Sequence, residues 1–237
     1  MRKLYIETVI QTEMDLLWER TQDPAQHQRW DVRFTDIDYL PLEPGQPQHF
    51  RYANKVLPWR PIAGTGISAG ERDRADGTRV SALRFRSSDP LSIIEEGSGY
   101  WRYVPTDAGI RFATGYDYRV RWGRFGRLAD HLFRPLMGWG TAWSFDRLRL
   151  WCEADISPRR SLGYAVADAA ARTTAIVTSI ALLVFSLSSG WIAALALIAA
   201  AVLLPPTRHT PAARRCLRRP PARTTAPTLL TALEATS

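Results

Sequence analysis

The chain has 237 residues, 46% of them hydrophobic and 23% charged, which is enough for one domain of ordinary size with further segments. A net charge of +8 and a pI of about 10.0 would alone suggest a nucleic-acid-binding protein. However, residues 158–237 hold nine arginines against two acidic residues, whereas residues 1–157 hold 22 basic and 21 acidic residues. This near-neutral N-terminal part argues against nucleic acid as a partner, and the basic C-terminal part has no interleaved aromatic residues to stack on bases.

The first predicted elements are a strand and two short helices. Lys3–Ile10 alternates as a strand, and Thr12 is placed to cap a helix that follows it. Asp23-Pro24 then predicts the start of a second helix that ends near Trp30, because Asp caps helices and Pro suits their first turn. Six further strand-like segments are separated by turns, at residues 34–40, 48–54, 64–71, 78–86, 91–102 and 109–121.

The segment at 109–121 alternates most regularly, with apolar and aromatic residues on one face and charged residues on the other. This pattern predicts an antiparallel sheet with one packed face. A helix is then predicted over Leu136–Glu153, with Leu136, Trp139 and Trp143 recurring at helical spacing and Pro135 at its start. The order of elements indicates an α+β fold in which this helix packs against the concave face of the sheet.

These elements resemble the SRPBCC superfamily, which has the START-like, helix-grip fold. The residues that carry the resemblance are Leu17-Trp18, Asp23-Pro24 and Gln28-Arg29-Trp30-Asp31, with residues 97–103 and 139–151 resembling a bacterial subgroup. The similarity covers roughly residues 3–153, and members of the superfamily include polyketide cyclases and lipid-transfer domains. It implies a cavity for an apolar ligand between about seven strands and the long helix. The candidate cavity residues are Phe85, Trp101, Phe112, Tyr116, Tyr118, Leu136, Trp139 and Trp143.

The sequence contains few candidate catalytic, phosphate-binding or metal-binding residues. Glu95 and Glu96 are adjacent on a predicted strand, so one would point to the packed face, where burial could make it a general acid or base. The alternative is that they are exposed and paired with Arg84 or Arg86. The Gly64–Gly70 segment has the wrong glycine spacing for a dinucleotide-binding loop and favours a bend in a strand. No His or Cys has metal-ligand spacing, so we expect no metal and no cofactor.

A long apolar run follows the predicted domain. Residues 175–204 contain no charge and would extend roughly 45 Å as a helix, too long for one upright span. The cluster at 186–190 could break the run, so a transmembrane hairpin, one tilted span, or a buried or interfacial helix remain open. Arginines on both flanks, with no signal peptide expected, place the N-terminal domain on the cytoplasmic side of the cell membrane.

The predicted organisation is a START-like domain at 1–157, a basic linker at 158–173, the membrane segment at 174–204 and a disordered tail at 205–237, whose arginines would lie on anionic lipid. The favoured function is binding of a hydrophobic small molecule or lipid by a membrane-tethered domain. A cyclase- or dehydratase-type enzyme is one alternative, with a cavity carboxylate or Tyr116 as the acid–base group. A membrane scaffold with a fully packed core is the other.

Overall fold

The computed structural model describes residues 3–42, 45–57, 60–71, 74–185, 190–221 and 225–235. The strands are β1 (Leu4–Ile10), β2 (Asp36–Tyr39), β3 (Gln48–Leu57), β4 (Arg60–Glu71), β5 (Arg79–Arg86), β6 (Ile94–Thr106) and β7 (Gly109–Val120). The helices are α1 (Met14–Gln22), α2 (Pro24–Trp30), α3 (Gly123–Ala154), α4 (Pro158–Phe185), α5 (Gly190–Leu203) and α6 (Thr228–Ala235), with a 3₁₀ turn at Ala213–Arg215.

The seven strands form one antiparallel sheet in the order β1-β7-β6-β5-β4-β3-β2. Because consecutive strands from β2 to β7 are neighbours, short turns connect them, and β1 closes the sheet by pairing with β7. Helix α3 packs on the concave face. The α+β, helix-grip-like architecture is therefore confirmed.

The core lies between β7, β1 and the second half of α3. Phe112 and Phe145 are fully buried and stack with ring centroids 4.5 Å apart. Ile10 and Leu148 are buried in the same cluster. Burying each of these side chains contributes roughly 1.5–3 kcal/mol, so this cluster holds the helix on the sheet.

Helix α3 begins 13 residues before the predicted start at Leu136 and continues through Pro135. Trp122, in the left-handed region with φ of 64°, precedes it. The early turns are held by tertiary contacts, because Tyr118 donates a hydrogen bond to the buried Asp130 carboxylate (2.7 Å) and Phe133 packs against the core. These contacts compensate for the backbone hydrogen bond that Pro135 cannot donate.

The predicted disorder of residues 205–237 is wrong for the parts of this tail that the structure describes. Ala213 and Cys216 are buried in the domain core, and Leu217 exchanges two backbone hydrogen bonds with Glu7 at the free edge of β1. Helix α6 packs through Leu230 and Leu233 on the convex face of the sheet. A composition rich in Pro and Arg prevents the tail from building its own core, but here it joins the core of the domain.

Helices α4 and α5 pack side by side and antiparallel. Arg172 of α4 donates hydrogen bonds to the carbonyl oxygens of Ala201 and Leu204 at the end of α5, and it pairs with Asp168 (2.8 Å). Many of their large apolar side chains are exposed, including Phe185 and Leu203. By length and composition, α4 is the one described helix that could cross a membrane, and α5 is a shorter apolar helix. The predicted break at 186–190 lies, apart from Gly190, outside the described residues.

Candidate functional site

A cavity of about 360 Å³ lies between the concave face of the sheet, the segment that joins α2 to β2, and the first half of α3. Its walls are mostly aromatic and aliphatic. They include Phe34, Phe50, Tyr52, Leu83, Phe133 and Met137. This volume is at the lower end of the range of small-molecule binding sites. A larger groove of about 1,140 Å³, lined partly by the charged residues Arg84, Arg86 and Arg119, is open at the surface and lacks this apolar enclosure.

Glycines allow two aromatic rings to form one wall of this cavity. Gly64 and Gly66 of β4 lie directly beside Tyr52 and Phe50 of the paired strand β3. A side chain at either glycine would overlap the neighbouring ring and a backbone carbonyl of β5. Gly64 and Gly66 therefore serve close packing within the sheet, whereas the sequence predicted a bend in a strand.

Three of the eight predicted cavity residues line this cavity, namely Phe85, Trp101 and Tyr116. Phe112 does not, because it is fully buried beneath the cavity in the packed core. Tyr118 does not line it either. Its hydroxyl donates to Asp130, whose other oxygen accepts from Arg134 (2.9 Å), so Tyr118 fastens β7 to α3.

The other three predicted residues lie on the outer side of α3. Leu136 and Trp139 are 55% and 50% exposed, and Trp143 is half-buried with its indole N–H donating to the Pro211 carbonyl (3.1 Å). These three residues lie on one side of the helix as their spacing predicted, but the opposite side of α3 packs against the sheet. That inner face carries Met137, Thr141, Phe145 and Leu148.

Glu95 and Glu96 lie outside the cavity. A bulge in β6 interrupts the alternation, since Ile94 and Glu96 pair with the adjacent residues Val120 and Arg119 and leave Glu95 as the extra residue. Both carboxylates therefore reach the exposed Arg119, each at 3.2 Å. Arg119 of the neighbouring strand β7 pairs with both glutamates, and their position removes them as cavity acids.

A charged cluster stands at the cavity wall instead. Arg33 lines the cavity and donates to the fully buried Asp31 carboxylate through Nε (2.9 Å to Oδ1) and Nη2 (2.6 Å to Oδ2). His27, one helical turn before Asp31, lies 3.2 Å from the same carboxylate and also lines the cavity. The His27 ring packs among Trp30, Phe34 and Trp101, which fixes its orientation.

This cluster has no net charge near neutral pH. Burial lowers the pKa of His27 and outweighs the Asp31 hydrogen bond that would raise it, so the imidazole is neutral. Burial alone would raise the pKa of Asp31, but the Arg33 guanidinium and the hydrogen bonds from His27 and Arg33 hold it well below its usual range. One carboxylate therefore neutralises one guanidinium.

Tyr116 extends the cluster into the cavity. Thr141 donates to the Met137 carbonyl (2.8 Å), so the Tyr116 hydroxyl donates to Thr141 Oγ1 (2.9 Å). Burial raises the pKa of Tyr116 despite the nearby Arg33, which keeps the phenol protonated. The guanidinium carbon of Arg33 lies 5.6 Å from the centre of the Tyr116 ring. Together these groups make a polar corner, formed by His27, Asp31, Arg33 and Tyr116, in an otherwise apolar cavity.

Sequence reasoning overlooked most of this corner. Metal-ligand spacing does not single out His27, and the described residues contain no group of three or more potential metal ligands. The informative signal was the separation of His27 from Asp31 by four residues, which places them on one face of a helix. Asp31 and Arg33 are two residues apart and follow the helix, so helical spacing does not predict that they pair.

Comparisons with known proteins give a relative and several fold neighbours. No family model matches the chain. The uncharacterized membrane protein YndG of Bacillus subtilis strain 168 is 42% identical over 167 residues, which cover 70% of this chain and 62% of that protein. The chain therefore spans less than two thirds of the length of this relative.

Two solved structures illustrate the fold likeness. The di-domain aromatase/cyclase StfQ of the steffimycin biosynthetic pathway matches with a TM-score of 0.50 and 8% identity, over 63% of this chain and 50% of that one. The STAR-related lipid transfer protein of Xanthomonas axonopodis matches with a TM-score of 0.46 and 17% identity, over 60% of this chain and 81% of that one. At 8% identity the likeness to StfQ is one of fold. The chain thus has a helix-grip-like domain and a relative described as a membrane protein.

Proposed function

We propose that this protein binds a hydrophobic small molecule or lipid in the cavity between the sheet and α3, as a member of the SRPBCC superfamily. The observation that carries the proposal is the cavity of about 360 Å³ with aromatic and aliphatic walls inside an otherwise packed domain. Apolar space of this size is costly to leave without contacts, because its lining forfeits dispersion energy. A ligand would restore those contacts.

The polar corner suggests the chemistry of the ligand. Asp31 already neutralises Arg33, so a ligand with a carboxylate would bring a net negative charge into an apolar site. A neutral carbonyl group could instead accept a hydrogen bond from the part of the guanidinium that Asp31 does not use. We therefore expect an apolar ligand with an uncharged polar group, such as a ketone, an ester or a quinone.

The test is native mass spectrometry of the full chain released from detergent micelles, followed by solvent extraction. Leu83→Trp fills the cavity, and Leu42→Trp is its control because Leu42 is 65% exposed and outside the cavity. The wild type and Leu42→Trp should retain 2-undecanone, and Leu83→Trp should lose it. Undecanoate of the same chain length should bind more weakly. Equal failure of all three proteins to bind either probe would refute the proposal.

The second candidate function is acid–base catalysis on the bound molecule, as in a cyclase or dehydratase. It is favoured by the placement of a neutral imidazole and a protonated phenol, from His27 and Tyr116, on the same cavity wall. If it holds, His27→Gln should abolish turnover of a polyketide-like substrate while binding persists. If the wild type binds the substrate without turnover, the catalytic function is excluded and ligand binding remains as the function.

We further propose that α4 and α5 form a hairpin that enters the membrane from one side. The supporting observation is that residues on both flanks, 3–157 and 205–221, pack into one domain. A single span would separate these flanks by the bilayer. The apolar arms, Thr173–Phe185 and Gly190–Leu203, are only about 20 Å long, compared with a hydrocarbon core of about 30 Å. With basic flanks, the domain would face the cytoplasm.

Docking of the tail also limits a role in lipid binding for its arginines. Arg215 is held by Asp146 (2.8 Å) and by the carbonyl oxygens of Thr210 (2.7 Å) and Thr207 (2.8 Å). The contact with anionic lipid therefore falls to the other flanking arginines, such as Arg218 and Arg219.

A further inference from the structure

An exposed apolar stripe runs along the outer side of α3. It consists of Phe125, Leu128, Leu132, Leu136 and Trp139, which are 68%, 69%, 69%, 55% and 50% exposed. At 100° per residue these side chains fall within about 80° of the helix circumference. The patch covers on the order of 500 Å², comparable with the largest apolar patch on a typical soluble monomer, and such patches are often functional.

The stripe leads to the base of the hairpin. Trp139 stacks on Trp143 with ring centroids 6.1 Å apart, and the Trp143 indole N–H donates to the Pro211 carbonyl. Pro211 lies eight residues after Leu203, where α5 ends. The apolar surface of α3 is therefore joined, through one stacked pair, to the segment that emerges from the proposed membrane hairpin.

The composition of the stripe and its border suits the interface of a bilayer. Phe125 and Trp139 stand near its two ends, and aromatic rings are enriched at the headgroup level. Arg124 is exposed at one border, where its guanidinium group can meet lipid phosphates. The half of α3 that precedes Gly140 thus has the amphipathic pattern of an interfacial helix, with its inner side held on the sheet.

We propose that this stripe lies on the membrane surface, with the apolar side chains of α3 immersed at the boundary between headgroups and acyl chains. The inference rests on the proposed membrane hairpin, which would bring the stripe to the lipid without a separate binding event. It gives the domain a fixed orientation, in which the first half of α3, a wall of the cavity, lies against the bilayer. Ligand exchange between the cavity and the bilayer would then need only a short path.

The test uses the full chain in vesicles of phosphatidylcholine with a minority of phosphatidylglycerol that carry spin-labelled lipids. An environment-sensitive fluorophore is attached at Leu132→Cys, with Cys152 and Cys216 replaced by Ala. Ile192→Cys on α5 is the deep control, and Asp107→Cys in the exposed β6–β7 turn is the aqueous control. We expect lipid quenching at position 132 to exceed that at position 107 by roughly twofold or more, with a maximum at a shallower depth than position 192.

The outcomes separate the two proposals. If position 192 is quenched and position 132 behaves like position 107, the hairpin is inserted and the stripe is not on the membrane, which overturns the inference. If position 132 is shielded from both aqueous iodide and lipid quenchers, protein covers the stripe, and the inference is again wrong. If position 192 is not quenched, the membrane hairpin itself fails.

Discussion

The link between α3 and the C-terminal tail depends on one buried carboxylate. Asp146 is fully buried and accepts hydrogen bonds from the Ala212 backbone N–H (2.7 Å), from Arg215 Nη1 (2.8 Å) and from Arg149 Nε (2.7 Å). Asp146→Asn preserves the shape of the side chain but removes its charge. It leaves the Arg215 guanidinium without its counter-charge, while Arg149 keeps Glu153 (2.6 Å), and it turns one acceptor oxygen into a donor that faces donors.

The expected loss of stability is about 3 kcal/mol. Removing one member of a buried ion pair costs about 3–5 kcal/mol, and each hydrogen bond to a charged group contributes about 1.5–3 kcal/mol. The lower end applies here because the side chains of Arg149 and Arg215 are 19% and 26% exposed and can regain water. For a chain of this size, 3 kcal/mol corresponds to a decrease in Tm of roughly 6–12 °C.

Limited trypsin digestion of the full chain measures the local effect and thermal unfolding the global one. Cleavage after Arg214 or Arg218 should become at least tenfold faster in Asp146→Asn, because the tail must detach before the protease can bind it. Asp107→Asn, in an exposed turn, is the matched control. Equal cleavage rates in the wild type and Asp146→Asn would refute the docking of the tail and, with it, the argument that both flanks lie on one side of the membrane.

Three further predictions concern the cavity cluster, the hairpin and the sheet. The pKa values of His27 and Asp31 are lower in the folded protein than in the unfolded one, so the stability that these groups contribute is fully present above about pH 6.5. As the pH falls below 6.5, His27 lowers the free energy of unfolding by up to about 1.4 kcal/mol per pH unit. Thermal unfolding should show this slope between pH 6.5 and 5 in the wild type but not in His27→Gln; equal slopes would contradict it. In sealed inverted vesicles, epitope tags at both termini should be digested by an external protease, and protection of one tag alone would indicate a single span. Gly66→Val should lower the free energy of unfolding by about 1–3 kcal/mol or more, because its side chain meets the Phe50 ring. Gly163→Ala, with open space around the glycine, should raise or preserve the free energy of unfolding. Chemical denaturation of both variants measures the contrast.

The elements that local patterns specify were predictable. The alternation of β7 placed Phe112 and Tyr116 on the packed face, and Asp23 caps α2 by accepting from the Ala25 N–H (2.9 Å). Thr12 does not cap α1, since Glu13 occupies the N-cap position without a side-chain hydrogen bond. Caps and alternation depend on neighbours in the chain, which explains why they were mostly read correctly.

Features that depend on distant contacts were not predictable. The Asp146–Arg215 pair joins residues 69 positions apart, and nothing local distinguishes Arg215 from the other arginines around it. The bulge at Glu95 is a property of the pairing between β6 and β7. Composition alone therefore predicted disorder in the tail. Strict alternation along β6, which ignores the bulge, placed one of the two glutamates on the packed face.

The helix stripe exposes a more general ambiguity. Helical periodicity identifies a group of apolar residues on one side of a helix, but it does not tell whether protein or lipid covers them. Helix α3 has both kinds of face: Met137, Phe145 and Leu148 meet the sheet and the cavity, while Leu132 and Trp139 face outwards. The cavity residues predicted on α3 were its large apolar side chains, but the sheet packs against the side that carries the smaller residues Gly138 and Thr141. In the proposed orientation the bilayer covers the outer apolar residues, because the proposed membrane hairpin lies at the end of their stripe.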